Sequence, residues 1–458
     1  MDPSKTSRRG FIRLAGLAGL SASAVGGLAG CGGGTQPTST GAGGSSAGAG
    51  GGAAAAGAAS FWFLSGQPQQ AIREATVKRF NTANPDASIK YTEFQNDAYK
   101  TKIKTAIGAG QGPAIIWGWG GGGLREYVQN NQVEDLTSFF SENAALKDKL
   151  FPSAFEAATV DGKVYAMPAE SVAPIVFYWN KLVFDKVGVQ PPQSWGDIMA
   201  LVPKFNAAGI APFSLGGQSR WTNMMWLEFL LDRTAGPDVF KNAFTGKANA
   251  WSDPAVLDML TKIQDLVKAN GFIKGFSSIT ADSNADLALL YTGKAAMMLH
   301  GAWTYGTMKA NGGNFVSGGN LGYMNFPAVE GGKGDPANTV GNPAQYYSIS
   351  SKASDAEKAT AKKLFSTTVL DDTEVKAWVD SGSVPIVKGS NAQFSGADAP
   401  FLNFVYDTAS KAKSFAQSWD QALPASAAET LLDNIAKLFQ LSITPQQWVD
   451  NMNKVIGK

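Results

Sequence analysis

Trp117, Trp119, Trp221 and Trp303 fall at the ends of apolar runs, beside glycine-rich or polar turns. The loops around them carry Gln67, Asn96, Asp97, Glu170, Arg220, Asn342 and Asp420. An indole is a flat apolar plate, whereas amide, carboxylate and guanidinium groups are planar hydrogen-bonding forks. The combination suits a ligand with an apolar face and an equatorial rim of hydroxyls, as a pyranose has. The centre of this pattern is the run 296–306, Ala-Met-Met-Leu-His-Gly-Ala-Trp-Thr-Tyr-Gly. Its apolar residues predict a strand buried on both faces, ending at the carboxyl edge of a parallel sheet, where open α/β sheets bind ligands. Gly301 would let a ligand approach the backbone, and Trp303 would stack on it.

Other chemistries draw on the same residues. A glycosidase needs two carboxylates roughly 5–9.5 Å apart, and Glu170 with Asp420 is the pair to nominate. Gly120 to Gly123 could cradle a phosphate, but no Lys-Ser/Thr follows and no dinucleotide fingerprint surrounds them, so nucleotide binding is set aside. Adjacent Tyr346 and Tyr347 can ligate ferric iron only with His or carboxylate help, and the sole His lies elsewhere. One Cys and one His exclude an intrachain disulfide and leave no zinc or copper cluster, so no metal or cofactor is expected. A polyamine would want an acidic cluster, which the loops lack.

Bulk charge excludes nucleic acid as a partner. Outside residues 1–30 the chain carries 35 basic and 36 acidic residues, so the slight basicity belongs to its start. Hydrophobic content of 44% with 17% charged residues describes a globular protein, and 458 residues suggest two or three domains.

The elements that must position these residues alternate between strand and helix. Strands are expected at 60–65, 89–94 and 114–119, with helices carrying Ile72, Val77 and Phe80, then Tyr99, Ile103 and Ile107, then 124–130. Such alternation argues for a parallel sheet covered by helices. Asp161-Gly162 turns a hairpin, Ser194 caps a helix with Ile198, Leu201, Val202 and Phe205 inward, and Asp253-Pro254 starts another. Residues 340–347 read as a loop before a strand at 348–350.

Ser7-Arg8-Arg9-Gly10-Phe11 resembles a twin-arginine export motif, and Leu28-Ala29-Gly30-Cys31 a bacterial lipobox. Residues 1–30 would then be a signal, Cys31 the lipidated mature terminus, and 31–59 a flexible tether of Gly, Ala, Ser and Thr reaching roughly 30 Å. Met298-Leu-His-Gly-Ala-Trp-Thr-Tyr305, Trp117-Gly-Trp-Gly-Gly121 and Asp420-Gln-Ala-Leu-Pro424 resemble elements of the extracellular sugar-binding proteins of ABC importers, the maltose-binding-like family. That resemblance implies an α/β, two-lobed periplasmic-binding-protein fold with hinge crossovers near 170–175, 343–348 and 388–398. The lobes would be 60–172 with 346–392, and 173–345 with 393–458. It further implies a monomer that binds an oligosaccharide and meets ABC permease subunits at the membrane.

Overall fold

The computed structural model describes residues 58–456; the twin-arginine motif, Cys31 and the tether through residue 57 lie outside them. β1 (Ala59–Leu64), β2 (Ile89–Phe94) and β3 (Ile115–Gly118) pair in parallel in the order β2-β1-β3. Helices Gln69–Ala83 and Asn96–Gly108 link them, burying Ile72, Val77 and Phe80 from the first and Tyr99, Ile103 and Ile107 from the second. A third helix, Gly121–Gln129, opens at the glycines rather than at Leu124. A Cβ on Gly121 would strike Gln417 and Gln421, and one on Gly122 the backbone of Leu423. Close approach of another backbone therefore explains these glycines, with no need of a phosphate.

The hairpin β4 (Thr159–Val160) and β5 (Lys163–Val164) precedes β6 (Met167–Ala169), the last strand of the first sheet in space, and β7 (Ser171–Asn180), the axis of the second. Only Glu170 separates β6 from β7, in the left-handed region at φ 63°. The remaining strands are β8 (Ala211–Ser214), β9 (Ala295–Gly301), β10 (Leu321–Met324), β11 (Thr339–Asn342), β12 (Gln345–Ile349), β13 (Val384–Pro385) and β14 (Phe415–Gln417). β9, β10, β11 and β13 pair antiparallel with β7, while β8 joins β9 and β14 joins β11 in parallel. β12 returns to the first sheet, antiparallel to both β3 and β6.

Two expectations change here. β9 does not end a parallel sheet; it lies between an antiparallel and a parallel neighbour, because an apolar run reports burial on both faces and says nothing of direction. Residues 340–347 are not a loop but parts of β11 and β12, broken only at Pro343-Ala344 where the chain crosses between sheets.

Alternation along β7 divides the interior. Ile175 and Phe177 join a core with Ile198, Phe213, Trp226 and Leu260, whereas Val176 and Tyr178 face a second core that contains Tyr305 and Phe401 and extends to Phe63, Phe80 and Trp378. The result is an α/β fold of two lobes, with β7 rooted at their junction.

Candidate functional site

Two adjoining cavities lie between the lobes. One, of about 420 Å³, is walled by Gln67, Asn96, Trp117, Trp119, Glu170, Trp221, Trp303, Asn342 and Asp420 among others. The second, of about 600 Å³, takes in Asp97 and Arg220, and Gly301 lines neither. The first lobe presents Trp119 from the end of β3 and Asn96 from its second helix. The second lobe presents Trp221 at the start of helix Trp221–Ala235, Trp303 just after β9, and Asp420 in the short helix Trp419–Ala422. The rings of Trp221 and Trp303 are 6.2 Å apart and tilted by 45°, with His300 edge-on to both.

Several expected ligand residues have other work. Glu170 is buried, and its Oε1 accepts from Arg73 Nε at 2.8 Å, Trp117 Nε1 at 2.7 Å and Tyr347 Oη at 2.8 Å, while Oε2 accepts from Arg73 Nη2 at 2.7 Å. It anchors the β6–β7 junction. Burial works against the Arg73 charge, yet the adjoining Glu170 raises its pKa on balance. Trp117, expected beside Trp119 as a second plate, is a buried core residue whose ring supports Trp119 edge-on at 4.7 Å. Gly301 does not admit a ligand, because the ring of Trp303 fills the space a Cβ would need. The glycine lets Trp303 fold back over the strand end.

Arg220, at φ 63°, donates to Glu429 at 2.7 Å and Asp433 at 2.6 Å, tying the cavity rim to helix Ala425–Phe439. Asp97 accepts from Ser219 Oγ at 2.8 Å and Trp221 Nε1 at 3.2 Å, and its own N–H donates to Asp282 at 3.0 Å. Asp420 pairs with Lys100 at 3.0 Å. Asn342 differs from these: its Oδ1 is buried with no partner among the described residues, in the wall of the smaller cavity. The Tyr347 hydroxyl is spent on Glu170, and burial and then Glu170 push its phenol well above the ordinary pKa. Among the described residues no cluster of His, Cys, Asp or Glu could hold a metal ion.

Lys100, Gln69, Gln345 and Gln421 also line the smaller cavity, and sequence reasoning passes over them. The signal for Lys100 was its place three residues after Asp97, on one helix face.

The family model for bacterial extracellular solute-binding proteins matches residues 65–367. The chain belongs to that family. Among its relatives, one named "Probable sugar-binding periplasmic protein" from Mesorhizobium japonicum is 31% identical over 220 residues, 47% of this chain and 50% of the relative. The chain spans about half the length of the first curated relatives it matches. A structure from work on xylan utilization by the thermophilic bacterium Caldanaerobius polysaccharolyticus is 30% identical with a TM-score of 0.77, covering 87% of this chain and all of that one. A chitin oligosaccharide binding protein is 27% identical with a TM-score of 0.78, covering 87% and 97%.

Hydrogen bonds also cross the cleft from one lobe to the other. Besides the Asp97 and Lys100 contacts, Gln69 Nε2 donates to the Trp303 carbonyl at 3.0 Å, Thr307 Oγ1 to that of Gln67 at 3.1 Å, and Gln417 Nε2 to that of Trp119 at 2.7 Å. Every one of these bonds runs between elements of different lobes. Among the described residues no helix is long and apolar enough to cross a membrane.

Proposed function

We propose that this solute-binding protein captures a disaccharide or short oligosaccharide between its lobes and delivers it, as a monomer, to an ABC permease. One observation carries the reading. Trp119 from one lobe and Trp221 and Trp303 from the other converge on a single cavity that also holds the amide oxygen of Asn342, which has no partner among the described residues. Stacking plates with planar hydrogen-bonding groups match a pyranose, and the volume lies within the ordinary range for ligand sites. The names of the relatives, which include sugar-binding and chitin oligosaccharide binding proteins, support the same class.

The protein is read as a binder and not a glycosidase. Of the nominated carboxylates, Glu170 has both oxygens engaged by Arg73, and Asp420 faces Lys100. We take the lobes as 60–172 with 346–392, and 173–345 with 393–458; the crossings at Glu170 and Pro343-Ala344 support the first two boundaries. Lipidation at Cys31 would hold the protein at the outer face of the membrane, and Cys31→Ala should release it from the membrane fraction.

A thermal-shift and calorimetric panel of xylo-, cello-, chito- and malto-oligosaccharides tests the function. A ligand at 100 times its Kd adds about 2.7 kcal/mol of stability. No response to any sugar, or turnover of a labelled one, would overturn the reading.

A further inference from the structure

The two interlobe cavities share Lys100, Trp117, Trp119, Trp221, Asp420 and Gln421 in their walls. Where they meet, the Lys100 ammonium closes on the Asp420 carboxylate at 3.0 Å and lies 5.2 Å from the Trp119 ring centroid and 5.9 Å from that of Trp221. Each cavity has its own exposed rim. Gln67 and Asn284 edge the smaller; Thr101, Thr105 and Glu429 edge the larger. The larger one also has Tyr127 and Tyr346 in its walls, and the Tyr346 hydroxyl is buried without a partner among the described residues.

We propose that the larger cavity is a second ligand chamber, that it accepts the outer units of a linear oligosaccharide, and that the Lys100–Asp420 pair is the movable partition between the chambers. This rests on the sugar-binding reading. A short ligand fits the smaller chamber with the partition shut. A longer chain must part the pair, and its hydroxyls can do so without leaving either charge unsatisfied: a hydroxyl oxygen accepts from the ammonium, and a hydroxyl hydrogen is donated to the carboxylate. The aromatic groups on both sides of the partition then provide stacking surface for successive units. Because the path has a rim at each end and one narrow crossing, it takes a linear chain and excludes one branched at the crossing.

Gly123 supplies the test. It lines the larger cavity and not the smaller, and a Cβ placed on it meets nothing within 4 Å, so Gly123→Trp is the variant chosen to obstruct the second chamber from a position where a side chain can begin without a clash. Thr105→Trp, at an exposed position on the same chamber, is the second variant. Calorimetry would compare xylobiose through xylohexaose and chitobiose through chitohexaose on the parent and both variants. In one series the parent should gain at least about tenfold in affinity from disaccharide to tetrasaccharide, in line with stacking on one more aromatic plate. Gly123→Trp should abolish that gain while holding the disaccharide within about twofold, a change too small for a lost stacking contact. A parent with no gain beyond the disaccharide, or variants with undiminished gain, would overturn the second chamber and leave the sugar-binding reading standing. A panel in which no sugar binds the parent would overturn both.

Discussion

The indole N–H of Trp221, on the second lobe, donates to the Asp97 carboxylate, on the first, at 3.2 Å. Ser219 reaches the other oxygen of the same carboxylate at 2.8 Å. Asp97 is therefore a clasp between the lobes, one that their separation would have to break. A ligand binds the shut form better than the open one, so weakening the clasp reduces the binding-competent fraction. Asp97→Ala should weaken sugar affinity by roughly tenfold, from loss of about 1.5 kcal/mol in bonds to a charged acceptor. Small-angle scattering should find the unliganded variant more expanded than the parent. An unchanged Kd and an unchanged scattering profile would show that the clasp is dispensable.

Trp303 and Gly301 form one unit, because the ring of Trp303 occupies the space a Gly301 side chain would need. Trp303→Ala should cost about 1–3 kcal/mol of affinity, by analogy with base stacking on aromatics. Gly301→Ala should do nearly the same by expelling the ring. The two losses should not add in the double variant, as expected for contacting residues. Full additivity in calorimetry would separate them and return Gly301 to an independent role.

Arg73 and Glu170 are both buried, at 5% and 1% side-chain exposure. Arg73→Met leaves the Glu170 carboxylate with no cation, and breaking a buried pair in this way costs about 3–5 kcal/mol. Urea unfolding should show that loss. A decrease below about 1 kcal/mol, the scale of a surface pair, would mean the junction has another support.

Glu228 lies on the helix that begins with Trp221; its Oε1 accepts the Trp419 N–H at 2.7 Å and its Oε2 is buried without a partner among the described residues. Burial, with a lesser contribution from the Asp420 charge, pushes its pKa from 4.5 up to about 8, against the opposing effect of the Trp419 N–H. Between those values the folded protein keeps a proton that the unfolded chain has lost. The contribution to stability is thus fully present below 4.5 and is lost as pH rises toward 8, at about 1.4 kcal/mol per pH unit. Thermal melts from pH 5 to 9 should show Glu228→Gln gaining on the parent as pH rises. A constant difference across that range would contradict the buried acid.

What the sequence made legible follows from how locally each feature is encoded. Ser194 and Asp197 form the capping box of helix Trp195–Ala207, with Ile198, Leu201, Val202 and Phe205 buried, and Asp253 caps Pro254–Lys268; both rest on residues within one turn. The cavity's tryptophans were equally visible, because glycine and polar turns flank them. Glu170 was readable as a polar residue among apolar ones, but its partner Arg73 lies 97 positions away and only the fold brings them together. Asp97 reads in the sequence as a ligand group, yet its oxygens face Ser219 and Trp221, since a carboxylate that binds a hydroxyl and one that binds another lobe have the same chemistry. The strand expected at 348–350 falls on the end of β12, and its start at Gln345 is hidden because Pro343 interrupts the strand pattern where the chain changes sheets.

Gly121 and Gly122 meet Gln417, Gln421 and Leu423 with no room for a side chain, and much of what they meet is backbone. Ordinary side-chain contacts can drift over generations, one partner shrinking as the other grows. A main-chain carbonyl has no smaller allele. These two positions can take a side chain only if the loop at 417–423 withdraws, so a recombinant joining the first lobe of one relative to the second lobe of another must match the glycines to the shape of that loop before any sugar is considered.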